Sequence, residues 1–268
     1  MQHLVTQHAD AVGATLASLT TKLPTVVDAT RLNWTIALAQ AALDVPGDYV
    51  ETGVFRGGTS IVMMRVLDRA GSSKRHWACD SFKGIPKPTR EDRVRTMVGA
   101  ACLTKNATAG SSSFAKMDTA GLTASCSRGK PGVFKGQWYG SREGFEQNLA
   151  RFAVTTQRLR IVPGWFNESL PPAGLKSIAF LRVDGDLYAS TRDALERLEP
   201  LVSEGGFVYI DDYGSFRGCA AAVDEYRAKR GSTETLHPIL GASRRNRFQA
   251  LWWQKASSPK KRSGFLLG

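Results

Sequence analysis

Two apolar stretches of this sequence each end in a pair of carboxylates. The stretch AFLRV is followed by Asp184 and Asp186, and the stretch GFVYI is followed by Asp211 and Asp212. Apolar runs of this length are consistent with strands that cross a protein core. Asp184 and Asp211 are 27 residues apart (211 minus 184), which fits one strand–helix–strand unit and predicts that the two strand ends lie side by side.

Carboxylates grouped at strand ends are suited to holding a metal ion. Close carboxylates repel one another and raise each other's pKa, and Mg²⁺ removes that repulsion because it prefers oxygen ligands. The repeated acidic strand ends therefore predict a Mg²⁺ site made of Asp184, Asp211 and Asp212. The alternative interpretation is that these acids cap helices or pair with Arg182.

A glycine-rich turn, ETGVFRGGTS, follows the first predicted strand. Its glycines are spaced GxxxGG rather than GxGxxG, which weakens a pyrophosphate-binding interpretation. Glu51 would be unfavourable beside phosphate and would suit a cationic ligand, while Asp80, at the end of the second predicted strand, could accept both hydroxyls of a ribose. A ligand with a cationic centre and a ribose suggests S-adenosylmethionine. The alternative is an ordinary strand-to-helix turn.

Strands and helices alternate along the chain, which predicts an α/β fold. Nearly continuous apolar strands indicate a mostly parallel sheet covered on both faces, and ligands of such sheets bind beyond the carboxyl ends of the strands. Thr59 and Ser60 are predicted to cap the helix after the glycine turn, and Ser190 to Asp193 resembles a capping box. The other predicted elements are helices at 31–43, 145–152 and 219–229, and strands at HWACDSF, RLRIVPG, SIAFLRVD, GGFVYIDD and RFQALWWQK.

Most of the 268 residues are predicted to form one domain. We expect it to span residues 1–254, with an N-terminal helical segment at 1–45 and a basic tail at 255–268. Residues 83–140 interrupt the alternation and are rich in Ser, Gly, Lys, Arg and Pro. They are interpreted as an insertion or lid, because a structureless loop of that length is uncommon in a compact domain.

Composition excludes several classes of protein. The formal net charge is +12, but the basic residues are dispersed and form no nucleic-acid-binding motif, so no nucleic-acid partner is expected. The four cysteines form no CxxC pair, which argues against a disulfide framework and a zinc site. No apolar run approaches the roughly 18 residues of a membrane span or the core of a signal peptide, so we expect a cytoplasmic protein with no membrane partner.

Five ordered motifs resemble the macrocin O-methyltransferase family, namely VETGVFRGGTS, CDSFKGIPKP, VPGWFNESLP, FLRVDGDLYAST and GGFVYIDDYG. Members of this family are Mg²⁺- and S-adenosylmethionine-dependent enzymes that methylate hydroxyls, notably on sugars of natural products. The resemblance covers roughly residues 31–214 and the final strand FQALWWQK. It implies a Rossmann-like class I methyltransferase fold with a mostly parallel seven-stranded sheet, helices on both faces and a lid insertion. It also implies a small-molecule hydroxyl acceptor, a sugar or a glycosylated natural product, and leaves open whether the protein is a homo-oligomer.

The resemblance assigns a role to each motif. It implies that the glycine turn holds the amino-acid end of the cofactor, that Asp80 binds the ribose with Ser81 beside it, and that the third motif lines the adenine pocket. Asp184, Asp211 and Asp212 would ligate Mg²⁺, and Asp186 would be the general base. The cofactor-binding residues implied are Glu51, Thr52, Gly53, Phe55, Gly57, Gly58, Thr59, Ser60, Asp80, Ser81, Gly164, Trp165 and Phe166.

The sequence departs from the family pattern in two places. Residues 101–136 have no recognised counterpart, so the acceptor is not identified, and the stretch GQWYGSREGFEQNL contains no histidine that could act as a base. Two other functions were weighed. An NAD(P)-dependent oxidoreductase on a doubly wound fold is disfavoured by the GxxxGG spacing and the acidic strand ends. A non-catalytic nucleic-acid-binding protein is disfavoured because those carboxylates would repel phosphate.

Overall fold

The computed structural model describes residues 23–92, 135–136, 138–240 and 248–256. The predicted N-terminal segment before residue 23, most of the predicted lid and the tail beyond residue 256 lie outside these residues, so their predictions stay untested. None of the helices in the described part of the chain is both long enough and apolar enough to cross a bilayer.

Seven strands form one sheet in the order β3-β2-β1-β4-β5-β7-β6. Strands β1 to β5 are mutually parallel, and β7 is antiparallel to both of its neighbours. The mostly parallel seven-stranded sheet expected from the family resemblance is confirmed. The strands are β1 Asp48–Thr52, β2 His76–Asp80, β3 Leu159–Pro163, β4 Ile178–Val183, β5 Val202–Ile210, β6 His237–Leu240 and β7 Phe248–Gln254.

Helices cover both faces of the sheet because successive strand residues point to opposite sides. Tyr49, Phe180 and Tyr209 contribute to the core on one face, together with residues of α1 to α3. Val50 and Leu181 contribute to the core on the other face, together with residues of α5 and α6. The helices are α1 Ala29–Ala41, α2 Gly58–Arg69, α3 Arg142–Arg151, α4 Phe166–Ser169, α5 Tyr188–Leu198 and α6 Arg217–Arg230.

The strand order reverses between β1 and β4, and this reversal creates a crevice at the carboxyl ends of the strands. Gly53 follows β1 with φ +85°, and a Cβ atom there would lie 1.8 Å from the carbonyl oxygen of Asp184. Only glycine allows the loops after β1 and β4 to come this close. The glycine turn and the first acidic strand end are therefore in backbone contact.

Two predicted helix starts are wrong, and one strand was not located from the sequence. Helix α2 begins after Gly57, whose φ of +90° provides the turn, so Thr59 and Ser60 lie inside the helix and do not cap it. Helix α5 begins at Tyr188, and the supposed capping box, with Ser190 as its first residue, lies within the helix. Strand β6 contains Pro238 and only four residues, which gives too short an apolar pattern to recognise.

Candidate active site

A cavity of about 260 Å³ opens at the carboxyl edge of the sheet, at the reversal of strand order. The loops after β1, β2, β4 and β5 contribute to its walls, as expected for an open parallel sheet. Eleven of the residues singled out in the sequence line it: Gly53, Phe55, Thr59, Asp80, Ser81, Trp165, Phe166, Asp184, Asp186, Asp211 and Asp212. The other six are not among the residues that line it: Glu51, Thr52, Gly57, Gly58, Ser60 and Gly164.

Asp80 organises the turn that follows β1. Its Oδ2 accepts hydrogen bonds from the backbone N–H groups of Val54 at 2.8 Å and Phe55 at 3.2 Å, and its Oδ1 accepts one from Phe82 N–H at 2.7 Å. Burial raises the pKa of Asp80, although these three N–H donors oppose that effect. A carboxylate offers about four acceptor sites, so one remains for a ligand on the cavity side.

Glu51 lies beneath the glycine turn and is completely buried. Its Oε2 accepts a hydrogen bond from the Ser60 hydroxyl at 2.5 Å, and its Oε1 lies 3.3 Å from Arg182 Nη1. Burial alone would raise the pKa of Glu51, but His76, Arg182 and Ser60 together hold it below its usual value. The lowered pKa favours the negative charge predicted for this position, although Glu51 is not among the residues that line the cavity.

Arg182 is the positive centre beneath the acidic cluster. Its side chain is fully buried in β4, with Nη1 2.7 Å from Asp184 Oδ2 and Nη2 2.7 Å from Asp211 Oδ1. The surrounding carboxylates outweigh the effect of burial and raise the pKa of Arg182. The pairing with Arg182 that was weighed as an alternative for these acids is therefore present in the structure.

Arg31 reaches the same cluster from helix α1. Asp28 caps that helix and pairs with Arg31 Nε at 2.8 Å, and Arg31 Nη1 lies 2.5 Å from Asp211 Oδ2. Both oxygens of Asp211 are thus engaged by arginines, and Tyr209 also donates to Oδ1 at 3.1 Å. Sequence patterns missed Arg31, because a contact across 180 residues leaves no local signal.

The carboxylates of Asp184, Asp186 and Asp212 form the tightest acidic group among the described residues. One oxygen of each lies within 4.8 Å of the others. Burial, and then the neighbouring acids, raise the pKa of Asp186 and Asp212 well above the usual value, and that of Asp184 to about 6. Asp212 Oδ2 is buried and has no hydrogen-bond partner among the described residues.

This group fits a divalent cation. Carboxylate oxygens are the ligands that hard cations prefer, and a cation would provide the partner that Asp212 Oδ2 lacks among the described residues. The grouping differs from the predicted set in one member, because Asp186 belongs to it while Asp211 is held by Arg31 and Arg182.

Aromatic side chains form a further part of the cavity wall that the sequence analysis did not single out. Trp138 and Phe216 both line the cavity, and their ring centroids lie 5.9 Å apart with the rings nearly perpendicular. Ile85 and Pro86 lie in the same wall. No spacing rule links these residues, since they come from separate segments of the chain.

Comparison with known proteins places the chain in a family. The profile of the macrocin-O-methyltransferase (TylF) family matches residues 22–137 and 94–254, which together cover most of the sequence. The chain belongs to this family.

Two relatives support membership of the TylF family. An 8-demethyl-8-(2,3-dimethoxy-alpha-L-rhamnosyl)-tetracenomycin-C 4'-O-methyltransferase from Streptomyces olivaceus is 37% identical over 205 residues, covering 74% of this chain and 64% of that protein. A demethyldecarbamoylnovobiocin O-methyltransferase from Streptomyces niveus is 38% identical over 197 residues, covering 73% of this chain and 64% of that protein. The chain therefore spans less than two thirds of the length of both relatives.

A solved structure agrees with this assignment. The O-methyltransferase NovP superposes with a TM-score of 0.66 and 28% identity, over 94% of this chain and all of that one. The calicheamicin methyltransferase CalS11 superposes with a TM-score of 0.60 at 19% identity, over 93% of this chain and 91% of that one, which shows the same fold. The Rossmann-like class I methyltransferase fold implied by the sequence motifs is confirmed.

Proposed function

We propose that this chain is an O-methyltransferase that uses S-adenosylmethionine and a divalent cation, Mg²⁺, to methylate a sugar hydroxyl of a glycosylated small molecule. The observation that carries this proposal is one cavity lined both by Asp80, suited to a ribose, and by Asp184 and Asp212, suited to a cation, with the Asp186 carboxylate close beside them. Membership of the TylF family supports methyl transfer over the nicotinamide-dependent alternative.

The cofactor side of the cavity lies between the β1–α2 turn and β2. Asp80 has one acceptor site left for a ribose hydroxyl, and Ser81 lies beside it in the cavity wall. Trp165 and Phe166 provide flat apolar surface for an adenine ring. Gly53, Phe55 and Thr59 line the end where the amino-acid part would lie.

The residues behind the cavity wall act on the cofactor indirectly. Glu51 holds the start of α2 through Ser60, and its negative charge lies beneath a site that would receive a sulfonium. Gly57 and Gly58 allow close packing, since Cβ atoms there would lie 2.8 Å from the Phe145 ring and 2.5 Å from Thr25. Thr52 is the last residue of β1, and Gly164 directly follows β3. Both therefore lie at the carboxyl edge of the sheet, where the cofactor would bind.

Asp184 and Asp212 are the residues proposed to hold the cation, and Asp211, whose Oδ2 pairs with Arg31, would be the third ligand. A bound cation supplies positive charge that lowers the pKa of an acceptor hydroxyl, and S-adenosylmethionine supplies the methyl group. Asp211 has the geometry for this exchange, because its Oδ2 is held only by Arg31, which comes from helix α1.

Asp186 is proposed to accept the proton of the acceptor hydroxyl through a carboxylate oxygen. A general base works best when its pKa is raised toward the working pH, and burial, followed by Asp184 and Asp211, raises the pKa of Asp186 well above its usual value. Trp138 and Phe216 line the same cavity as Asp186 and would offer apolar surface to the acceptor. The acceptor hydroxyl would lie between this surface and Asp186.

The acceptor class follows from relatives. The two Streptomyces relatives act on a rhamnosyl tetracenomycin and on demethyldecarbamoylnovobiocin, and a Micromonospora griseorubida relative that is 30% identical is a mycinamicin III 3''-O-methyltransferase. We therefore choose demethyldecarbamoylnovobiocin, mycinamicin III and methyl α-L-rhamnopyranoside as acceptor probes.

The test incubates the purified protein with S-adenosylmethionine, Mg²⁺ and each probe, and detects the methylated product by mass spectrometry. We expect product with at least one probe, loss of product in EDTA, and a decrease in turnover of about 10²- to 10⁴-fold in Asp186→Asn. That variant should still bind S-adenosylhomocysteine in calorimetry. Asp193→Asn is the matched control, since Asp193 lies on α5 outside the cavity and pairs with Arg192.

Two results would contradict parts of this proposal separately. Undiminished turnover in EDTA would remove the cation from the mechanism. Absence of S-adenosylhomocysteine binding to the folded protein would remove the methyl donor and with it the whole proposal.

A further inference from the structure

Asp92 is a buried carboxylate outside the cavity that makes an unusual set of hydrogen bonds. Its side chain is 5% exposed, and its Oδ1 accepts the backbone N–H of Tyr188 at 2.7 Å. Its Oδ2 accepts the backbone N–H of Thr89 at 2.7 Å and the Thr89 hydroxyl at 3.0 Å. Both oxygens are therefore used to join residues 89–92 to a helix start 96 residues away.

Helix α5 depends on this contact because it has no cap of its own. The residue before the helix is Leu187, which has no side-chain oxygen and makes no side-chain cap hydrogen bond. Helix N-termini leave backbone N–H groups without partners, and a carboxylate there is favourable. Asp92 takes the place of the N-cap residue that the local sequence lacks.

Gly218 provides the space that Asp92 occupies. A Cβ atom at Gly218, in the first turn of α6, would lie 1.9 Å from Asp92 Oδ1 and 3.0 Å from Tyr188 N. The Asp92 carboxylate is thus enclosed between the N-termini of α5 and α6. Any side chain at residue 218 would displace it.

The helix start that Asp92 holds is directly connected to Asp186. Asp186 has φ +55°, a conformation that costs energy for a non-glycine residue and persists only where the surroundings fix it. Leu187 N–H donates to Gly185 O at 2.5 Å, and Thr191 N–H donates to Leu187 O at 2.9 Å. These bonds continue the turn into the helix whose first N–H is held by Asp92.

We propose that Asp92 is a positioning residue, which fixes the start of α5 and thereby the direction of the Asp186 carboxylate. The inference rests on the proposed role of Asp186 as the base. Misplacing a reacting group by about 1 Å can lower a rate about 10²-fold, so the anchor should affect turnover more than cofactor binding.

The first experiment compares Asp92→Ala with Glu143→Ala, which removes the same charge from an exposed residue on α3. For Asp92→Ala we expect turnover of a probe accepted by the wild type to fall about 10- to 100-fold, with the affinity for S-adenosylhomocysteine changed less than twofold. Hydrogen exchange at residues 187–191 should accelerate. Asp92→Asn, which keeps an oxygen acceptor for Tyr188 N–H, should recover part of the turnover, and Glu143→Ala should match the wild type.

The second experiment uses Gly218→Ala to displace Asp92 without removing it. This variant should reproduce the turnover loss of Asp92→Ala, and the double variant should lose much less than the product of the two single losses. Multiplicative losses would show that the two residues act separately and would overturn the proposal.

The remaining outcomes are also decisive. Unchanged turnover and exchange in Asp92→Ala would overturn the inference, and so would an equal loss of turnover and S-adenosylhomocysteine affinity, which would mark a general folding role. If the wild type methylates no probe, the proposed function fails while hydrogen exchange still tests the anchor. If Asp92→Ala does not fold, Asp92→Asn and Gly218→Ala carry the same comparison.

Discussion

Arg182 Nη2 lies 2.7 Å from Asp211 Oδ1, and both side chains are almost completely buried. The same guanidinium also contacts Asp184 and Glu51. The positive charge of Arg182 therefore compensates the negative charges of three carboxylates. Removing one partner of a buried ion pair leaves a buried charge without compensation. The resulting loss of folding free energy is larger than the net stabilisation that the intact pair provides.

Arg182→Met should therefore destabilise the fold strongly. We expect the free energy of unfolding in urea to fall by about 3–5 kcal/mol, because buried acids lose their counter-charge. Arg142→Met is the control, since Arg142 pairs with Glu146 on an exposed face of α3, where such pairs contribute about 0.5 kcal/mol or less. Equal effects in the two variants would contradict the compensating role of Arg182.

Arg31→Gln should tighten Mg²⁺ binding. The substitution removes a positive charge 2.5 Å from Asp211 Oδ2 and frees that oxygen for the cation. We expect the dissociation constant measured by calorimetry to fall about tenfold, equivalent to about 1.4 kcal/mol. Arg151→Gln, which removes a charge from the end of α3, should leave it unchanged. Weaker binding in Arg31→Gln would show that the Arg31–Asp211 contact assists the cation.

Asp212→Asn should stabilise the metal-free protein at neutral pH while abolishing Mg²⁺-dependent turnover. Burial and neighbouring acids raise the pKa of Asp212 in the folded protein above its usual value of 3.8. At pH values between 3.8 and this raised pKa, the folded protein therefore binds more protons than the unfolded chain. Wild-type stability therefore decreases as pH rises through this window, and the variant escapes that loss.

The expected gain at pH 7 is about 1–3 kcal/mol, the typical cost of a buried polar group without a partner. Below about pH 4 the carboxyl is protonated in both states, so the difference between variant and wild type should vanish. Thermal unfolding in EDTA across this pH range measures it, with Asp193→Asn as the control. A variant less stable than the wild type at pH 7 would refute the repulsion argument.

Trp138→Ala should weaken acceptor binding selectively. Burying a large aromatic surface contributes about 1.5–3 kcal/mol, so KM for the acceptor should rise about 10- to 100-fold, with S-adenosylhomocysteine affinity unchanged. Trp138→Phe should recover much of the loss. If both variants lost cofactor affinity instead, Trp138 would belong to the cofactor side of the cavity.

Sequence patterns predicted the parts of this site that depend on local chemistry. The apolar runs that end in Asp184 and Asp211 identified adjacent strands, because a buried parallel strand requires continuous apolar residues. The number of strands in the sheet was predicted only through the family resemblance, and the order of the strands was not predicted.

The rest depends on contacts between distant segments. The helix start at Tyr188 could not be predicted, since its capping carboxylate is Asp92 and the local Ser190 pattern is misleading. The contact between Arg31 and Asp211 likewise depends on how α1 packs against the sheet. Sequence patterns that span only a few residues cannot predict contacts between segments that are far apart in the chain.

The close approach of Gly53 to the Asp184 carbonyl has a consequence for redesigning this protein. The distance between the glycine turn after β1 and the acidic loop after β4 is set by main-chain atoms, which no substitution replaces. A redesign that moved these two loops apart to admit another acceptor would break the contact between Gly53 and Asp184. Variation is more open in the cavity wall away from this contact, at partly exposed side chains such as Trp138.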